Sequence, residues 1–208
     1  SAGFAAVALT VLPAHSESFG AKKRALEAVN ALVGARFESL IIVDNQKLWA
    51  KFSKHGIHRF YPACNVAVVD AFERAHNASG QPGMTPIRSF EQRAFLGALG
   101  GGGVAVFAEA TLDVPLTHET LLQGLVDAIN HNALLATEYD IEDIVALGTI
   151  VVANEQVLSD TSVAAFDTFV QEANLVTTGV THDIGIYRAD IEKPRLHVIA
   201  SGLALPTA

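Results

Sequence analysis

The stretch Phe37-Glu-Ser-Leu-Ile-Ile-Val-Asp-Asn-Gln-Lys-Leu48 decides the fold. Residues 37–43 predict a strand, and the apolar run within it is typical of a strand that is covered on both faces of a parallel sheet. The run ends in the polar pair Asp44 and Asn45. Further along, Phe60-Tyr-Pro-Ala-Cys-Asn65 opens a helical pattern. The chain is therefore predicted to alternate strands and helices around a buried strand.

Composition and charge exclude several classes of protein. The chain has 208 residues, of which 50% are hydrophobic and 17% are charged, so it has enough apolar material for one or two packed cores. The formal net charge of -8 at pH 7 disfavours a nucleic-acid groove, since such grooves need clustered lysine and arginine. The one basic cluster, Lys22-Lys23-Arg24, is short. We therefore expect no direct binding of nucleic acid.

Cysteine content and the N-terminal apolar run bear on location. Cys64 is the only cysteine, so an intrachain disulfide is impossible and a reducing compartment is favoured. The apolar run 3–12 is too short to span a bilayer and has no positively charged lead-in. These features predict a cytoplasmic protein without membrane insertion.

Hydrophobic spacing predicts the elements of the first part of the chain. Residues 4–12 form an apolar run typical of a strand, and residues 22–33 carry apolar side chains at helical spacing. With the strand at 37–43, they predict a β-α-β unit with a right-handed crossover. A second helix is predicted for 61–77, and Ser79-Gly-Gln-Pro-Gly83 then gives the strongest boundary signal.

The second part predicts an α+β layer with a sheet of about four strands. The predicted helices are 89–99, 117–136 and 161–173, and the predicted strands are 104–110, 144–153, 175–187 with an early break, and 196–203. The run Gly100-Gly-Gly-Gly103 lacks a following Lys-Ser or Lys-Thr and precedes a strand, unlike a phosphate loop. A turn or close backbone packing is favoured there, with phosphate binding as the weaker alternative.

Other candidate sites are weak. His55-x-x-His58 and His182-Asp183 lack a third ligand at the spacing of a metal site, so neither zinc nor hydrolase chemistry is favoured. An acidic cluster at 138–143 lacks the glycine-bearing ligand order of a calcium loop and predicts a solvated face. The sequence thus predicts no metal site.

These segments resemble the FtsZ/tubulin family of nucleotide-driven filament proteins over nearly all of the chain. The resemblance is to the C-terminal portion of that family, from the end of the GTPase domain through the central helix to the second domain. It implies an α/β remnant of a nucleotide-binding domain at 1–56, a long central linking helix at 57–79, and a C-terminal α+β assembly domain at 80–208.

One resemblance concerns nucleotide contact by an arginine. Phe19-Gly-Ala-Lys-Lys-Arg24 is similar to the family's Phe-Glu-Gly-Lys-Lys-Arg, whose final arginine approaches the bound nucleotide. This similarity implies that role for Arg24. Gly20 stands where the family has a glutamate that contacts the ribose, and Glu17 is the nearest substitute. The alternative is a basic helix start that faces water.

A second resemblance concerns the base. Tyr61 and Asn65 lie one helical turn apart, so both can face one planar ligand. The family implies that Tyr61 stacks on guanine and that Asn65 hydrogen-bonds its edge, whose donors and acceptor an amide can match. Phe60 is the alternative stacking residue, and an ordinary structural role for the pair stays open. Asn45 is expected to shape the turn after the strand, and Trp49 and Phe52 are expected to pack in the core or between domains.

A third resemblance concerns hydrolysis. After the central helix the family has an acidic loop, close to Asn-x-Asp-x-x-Asp, which completes the nucleotide site of the next subunit and orients the attacking water. Pro86-Ile-Arg-Ser-Phe-Glu91 aligns with it, so Arg88 and Glu91 are the candidate catalytic residues, acting in trans. Because Arg88 replaces the first acid, hydrolysis should be weak or differently arranged, and the guanidinium should bind the neighbour's phosphates. The alternative is that both are exposed charges at a helix start.

The family's phosphate loop, close to Gly-Gly-Gly-Thr-Gly-Thr-Gly, precedes the strand that corresponds to residues 4–12, and this chain does not supply it. The resemblance therefore implies a GTPase parent that uses GTP or GDP, with Mg²⁺ as a candidate ion. This chain alone should be inactive and should not bind GTP tightly. The resemblance also implies head-to-tail self-association into filaments, with roles in cell division, in plasmid or phage DNA segregation or in cell shape all left open.

Two other functions remain as alternatives. The first is a non-enzymatic interaction or dimerisation module without nucleotide activity, whose surfaces are the glycine run and the acidic cluster. The second is a small-molecule enzyme on an unrelated α/β fold, which needs a deep pocket lined by histidines. Nucleotide-dependent sedimentation of a longer protein distinguishes the first from a filament protein.

Overall fold

The computed structural model describes residues 6–35, 37–77, 82–131, 141–177 and 181–204, and within them seven strands form one mixed sheet. The strands are β1 (Val7–Leu12), β2 (Ser39–Asp44), β3 (Thr85–Arg88), β4 (Val104–Thr111), β5 (Ala146–Ala153), β6 (Thr181–Arg188) and β7 (Arg195–Leu203). The α-helices are α1 (Phe19–Gly34), α2 (Asn45–Phe52), α3 (Ile57–Asn77), α4 (Gln92–Leu99), α5 (His118–Asn130), α6 (Glu155–Asp160) and α7 (Val163–Val176).

The predicted β-α-β unit is present at the start of the chain. β1 and β2 are parallel, with Val7 opposite Ser39 and Leu12 opposite Asp44. Every residue of β2 except Asp44 is buried, which explains why this strand has a continuous apolar run without alternation. α1 begins where the hydroxyl of Ser18 accepts a hydrogen bond from a backbone N–H in the first turn.

The sheet order is β1-β2-β4-β7-β5-β6-β3. β2 and β4 are parallel neighbours, β7 is antiparallel to both β4 and β5, and β3 is antiparallel to β6. The α/β class of the fold is confirmed. The sheet of about four strands is not confirmed, because five described strands lie within 80–208 and join β1 and β2 in one sheet. The borders 56/57 and 79/80 stay predictions.

Three short elements were not predicted. α2 follows β2 directly because the carboxylate of Asp44 accepts a hydrogen bond of 2.8 Å from the backbone N–H of Gln46. α6 is capped in the same way, since the side-chain oxygen of Asn154 accepts a hydrogen bond of 3.0 Å from the N–H of Val157. β3 has only four residues, all exposed, and therefore lacks the alternation that predicts a strand.

Some predicted boundaries were wrong or fall outside the described residues. α7 continues to Val176, whereas the strand was expected to start at 175; β6 begins only at Thr181. Residues 132–136 of the predicted 117–136 helix lie outside the described part of the chain, as do Glu138 and Asp140 of the acidic cluster.

Helices cover both faces of the sheet. α1, α5 and α7 pack on one face, where the fully buried side chains include Leu121, Leu125, Phe169, Leu147 and Leu196. α4 packs on the other face with the core residues Phe90, Phe95, Phe107, Ile150 and Tyr187, and α3 reaches them through Phe72. Trp49 was expected in the core or between domains but is 50% exposed, whereas Phe52 packs with Leu48 on the inner face of α2.

The glycine run forms a closely packed turn. The N–H of Gly101 donates to the hydroxyl of Ser201 at 2.9 Å, and the N–H of Gly202 donates to the carbonyl of Gly102 at 2.7 Å. Gly103 has a φ of 55° and its carbonyl accepts from the N–H of Leu40 at 2.9 Å. These contacts explain the glycines by close backbone approach between β4 and β7. None of the described helices has the length and apolar character needed to cross a membrane.

Candidate functional site

The candidate nucleotide site begins at the carboxyl ends of β1 and β2, which lie side by side. In open α/β sheets, ligands bind outside the carboxyl ends of the strands. There the Oε1 atom of Glu17 accepts hydrogen bonds from the N–H of Ala14, at 2.9 Å, and from Nδ2 of Asn45, at 3.1 Å. Asn45 thus joins the two loops that follow the strands. Glu17 therefore stabilises this turn. Sequence spacing did not reveal its contact with Asn45, because the two residues are 28 positions apart.

Two more hydrogen bonds fix the same rim. The N–H of His15 donates to Oε1 of Gln46 at 3.0 Å, and Nζ of Lys22 donates to the carbonyl of His15 at 2.8 Å. The loop after β1 is therefore tied both to the first turn of α2 and to α1. Such bracing limits the entropy that ligand binding would otherwise cost.

Arg24 lies in α1, just after this loop, and is exposed. In the described part of the chain, no carboxylate lies within ion-pair distance of its guanidinium. A Cβ added at Gly20 would lie 3.5 Å from Nη1 of Arg24, so the guanidinium lies over the first turn of α1. Arg24 therefore has donors available for an anion, although the same exposure is expected of a solvated helix start.

Tyr61 and Asn65 are both exposed on α3, one turn apart. The helix is fixed beside them by Cys64, which is buried in one cluster with Val43 of β2 and Leu48 of α2. Burial raises the pKa of the Cys64 thiol, which disfavours the reactive thiolate. Tyr61 is 66% exposed, which leaves its ring accessible for stacking.

Arg88 and Glu91 lie far along the chain, at the other edge of the sheet. Arg88 ends β3, where a β-bulge separates it from Pro86, and it pairs with Ile186 of β6. Glu91 is the N-cap residue of α4, and its side chain makes no capping hydrogen bond. Both residues are exposed. Arg88 therefore lies at the end of a strand. The alternative that placed it at a helix start is wrong for this residue.

The residue types restrict what this second group can do. A guanidinium keeps its proton in proteins, so Arg88 cannot act as a general base, whereas it can donate in a fork to phosphate oxygens. A carboxylate such as Glu91 can orient a water molecule. No contact among the described residues joins this pair to Arg24, Tyr61 or Asn65, so the two groups form separate surfaces of one chain.

Sequence reasoning also missed a charged cluster around Glu109. Its Oε2 atom lies 3.4 Å from Nη1 of Arg74 and 3.5 Å from Nδ1 of His197, and its Oε1 atom lies 3.4 Å from Nη1 of Arg195. Burial lowers the pKa of His197, and the neighbouring carboxylate opposes that shift. A cavity of about 350 Å³ adjoins the cluster. The cluster links the last turns of α3 to β4 and β7.

The histidine motifs do not assemble into a metal site within the described ranges, where no three His, Cys, Asp or Glu side chains have a suitable arrangement. His182 lies on the inner side of β6, where its Nε2 forms a hydrogen bond of 2.8 Å with Oγ1 of Thr149. Burial lowers the pKa of His182 to about 4, and the nearby charge of Arg88 adds to that effect.

The sequence and the fold were compared with those of known proteins. No family model matches the sequence, and no curated protein matches it. GDP-form protofilaments of Bacillus thuringiensis serovar israelensis TubZ align over 96% of this chain and 54% of the TubZ chain, with a TM-score of 0.72 and 13% identity. CetZ from Methanosaeta thermophila aligns over 97% of this chain and 52% of its own, with a TM-score of 0.67 and 17% identity.

A third solved structure, the empty FtsZ dimer of M. jannaschii, aligns over 99% of this chain and 61% of the FtsZ chain, with a TM-score of 0.62 and 16% identity. The chain therefore has a tubulin/FtsZ-like fold, which confirms the resemblance at the level of the fold. It spans about half to three-fifths of the length of these solved chains.

Proposed function

We propose that this chain is the C-terminal portion of a cytoskeletal GTP-binding protein that polymerises head to tail. The observation that carries the proposal is the exposed pair Tyr61 and Asn65, presented one turn apart by a helix that is packed onto the end of β2. Similar folds occur in GDP-form and GTPγS-form protofilaments of TubZ. We expect the protein to reside in the cytoplasm.

Each group of residues has a role in this proposal. Arg24, Tyr61 and Asn65 contact the nucleotide of their own subunit, with the ring of Tyr61 on the guanine and the amide of Asn65 on its edge. Arg88 and Glu91 reach the nucleotide of the next subunit. There Arg88 holds phosphate charge and Glu91 orients the water, an arrangement that favours slow hydrolysis because no second carboxylate replaces the acid lost at Arg88.

Loss of the Tyr61 ring is expected to weaken guanine nucleotide binding. In a longer protein that contains this chain and a phosphate-binding part, Tyr61→Ala should lower GDP affinity by about tenfold or more, since stacking of a base on an aromatic ring contributes about 1–3 kcal/mol. A binding titration measures this change. Val66→Ala is the matched control, because Val66 is 56% exposed on a different side of α3. Equal affinities for the two variants would remove Tyr61 from the site.

Loss of Arg88 is expected to weaken assembly more than nucleotide binding. Arg88→Ala should raise the protein concentration needed for GTP-dependent sedimentation by about tenfold, since a charge-assisted hydrogen bond contributes at least about 1.5 kcal/mol. Arg93→Ala, which removes another exposed arginine at the second position of α4, should change this concentration less than about twofold.

Sedimentation of the wild-type protein also distinguishes a filament protein from the alternative, a non-enzymatic interaction module. If the longer protein neither binds GTP nor sediments with it, the likeness is one of fold alone, and a non-enzymatic interaction module becomes the better proposal. A GTP turnover rate per subunit that rises with protein concentration supports the filament function, because only assembly brings Arg88 and Glu91 to a neighbour's nucleotide. Arg88→Asp, which restores an acid at that position, then tests the alignment of the loop through faster turnover per assembled subunit.

A further inference from the structure

A buried residue lies between Arg88 and Glu91. Phe90 is 4% exposed, and its side chain packs on two glycines of the neighbouring strands β5 and β6. A Cβ added at Gly148 would lie 2.7 Å from Cζ of Phe90, and one added at Gly185 would lie 2.6 Å from Cβ of Phe90. The absence of side chains at both positions is what allows Phe90 to lie this close to the sheet, with its ring over Gly148 and its Cβ over Gly185.

Tyr187 holds the backbone of the same residue. The N–H of Phe90 donates to the hydroxyl oxygen of Tyr187 at 2.6 Å, and Tyr187 is 1% exposed. A buried N–H has no water to replace a lost partner, so this hydrogen bond is costly to break. The two residues are 97 positions apart, which is why no spacing rule indicates the contact.

The flanking backbone is fixed on both sides of this anchor. Before it, Arg88 is paired with Ile186 of β6 after the bulge. After it, the carbonyl of Glu91 accepts from the N–H of Phe95 at 3.1 Å and so begins α4. The two exposed charges are therefore presented from a backbone that is anchored between them.

We infer that Phe90 and Tyr187 hold the 86–91 segment in the conformation that presents Arg88 and Glu91 to a neighbouring subunit, which makes Tyr187 a positioning residue. The functional meaning of this presentation rests on the proposed function above. A segment that is already ordered binds without the entropy cost of ordering on contact. Releasing the anchor should therefore weaken assembly while leaving the residues that contact the neighbour unchanged.

The first measurement tests the anchor itself. Amide hydrogen exchange of the 208-residue chain is followed by NMR for Tyr187→Phe and for Thr149→Val. Both variants remove a buried hydroxyl, but Thr149 lies on the opposite face of the sheet from Phe90, where it bonds His182. Relative to core amides, exchange at Phe90 should be at least about tenfold faster in Tyr187→Phe and unchanged in Thr149→Val. Unchanged exchange at Phe90 in Tyr187→Phe overturns the inference.

The second measurement tests positioning. In the longer protein, Tyr187→Phe should raise the concentration for GTP-dependent sedimentation by about fivefold while GDP affinity of the unassembled subunit stays within about twofold of wild type. Thr149→Val, which also removes a buried hydrogen-bonded hydroxyl, should leave both values near wild type. If the two variants sediment alike, Tyr187 has only a structural role and the inference is wrong. If wild type itself does not sediment with GTP, the proposed function fails, and the exchange result alone decides whether the segment is anchored.

Discussion

Gly103→Ala is expected to lower the free energy of unfolding by between about 2 and 5 kcal/mol. Gly103 has a φ of 55°, a left-handed conformation that costs an ordinary residue about 1–2 kcal/mol. An added Cβ would also lie 2.6 Å from the carbonyl oxygen of Leu203 and 3.0 Å from the carbonyl carbon of Gly202. These are backbone atoms of a buried strand and cannot turn away, so overpacking adds about 1–3 kcal/mol. Urea unfolding at constant pH measures the sum.

Gly102→Ala separates the two causes. Gly102 also has a positive φ, of 75°, but the nearest atom to an added Cβ is the carbonyl oxygen of Glu38 at 4.0 Å. This variant should therefore lose only the conformational term, about 1–2 kcal/mol. If the two variants lost equal stability, close packing at Gly103 would contribute nothing, and the glycine run would be explained by backbone conformation alone.

Spacing rules predicted the parts of the fold that local sequence controls. The run before Asp44 predicted β2, because a strand covered on both faces carries apolar side chains throughout. Tyr61 and Asn65 could be predicted to face the same side of a helix, since residues four apart on a helix are neighbours on its surface. The structure leaves both exposed on α3, and their contact with nucleotide stays a prediction.

Contacts between distant segments could not be predicted. Glu17 meets Asn45 and Phe90 meets Tyr187 only because the chain folds back on itself, and neither pair has a sequence signature. The joining of all seven described strands into one sheet depends on the same long-range pairing, with Leu40 of β2 opposite Val104 of β4. Exposed β3 was missed because its strand character comes from pairing with β6 and not from its own residues.

The glycines show how one residue type has several causes. Gly148 and Gly185 leave space for the Phe90 ring, whereas Gly103 satisfies both a backbone conformation and a close strand contact. Sequence alone favoured a turn or close packing at the Gly100–Gly103 run over a phosphate loop, and the observed contacts are to the backbone of Leu203 and Gly202 and to the hydroxyl of Ser201. Close contacts between strands therefore account for the glycine-rich run, and the proposed nucleotide contacts involve other residues.

His182 is expected to make the protein less stable in acid. Burial, with a smaller contribution from the charge of Arg88, lowers the pKa of His182 from 6.5 to about 4. Between pH 6.5 and about pH 4, the imidazole of His182 is therefore protonated in the unfolded chain and neutral in the folded chain. Stability from the neutral imidazole is complete above pH 6.5 and is lost progressively as the pH falls to about 4. The total loss is about 3 kcal/mol, at 1.36 kcal/mol for each pKa unit.

His182→Gln tests this expectation because glutamine is neutral at every pH and keeps a polar group near Oγ1 of Thr149. Unfolding free energies of both proteins are measured between pH 7 and pH 4. The wild-type protein should lose about 3 kcal/mol more than His182→Gln over that interval. Thr177→Val, which removes the buried hydroxyl bonded to the carbonyl of Ala173 but no titrating group, should keep the wild-type pH dependence. Parallel curves for wild type and His182→Gln would mean that the imidazole becomes protonated in the folded protein as easily as in the unfolded chain, so the packing of Phe169 against its ring does not exclude the charge.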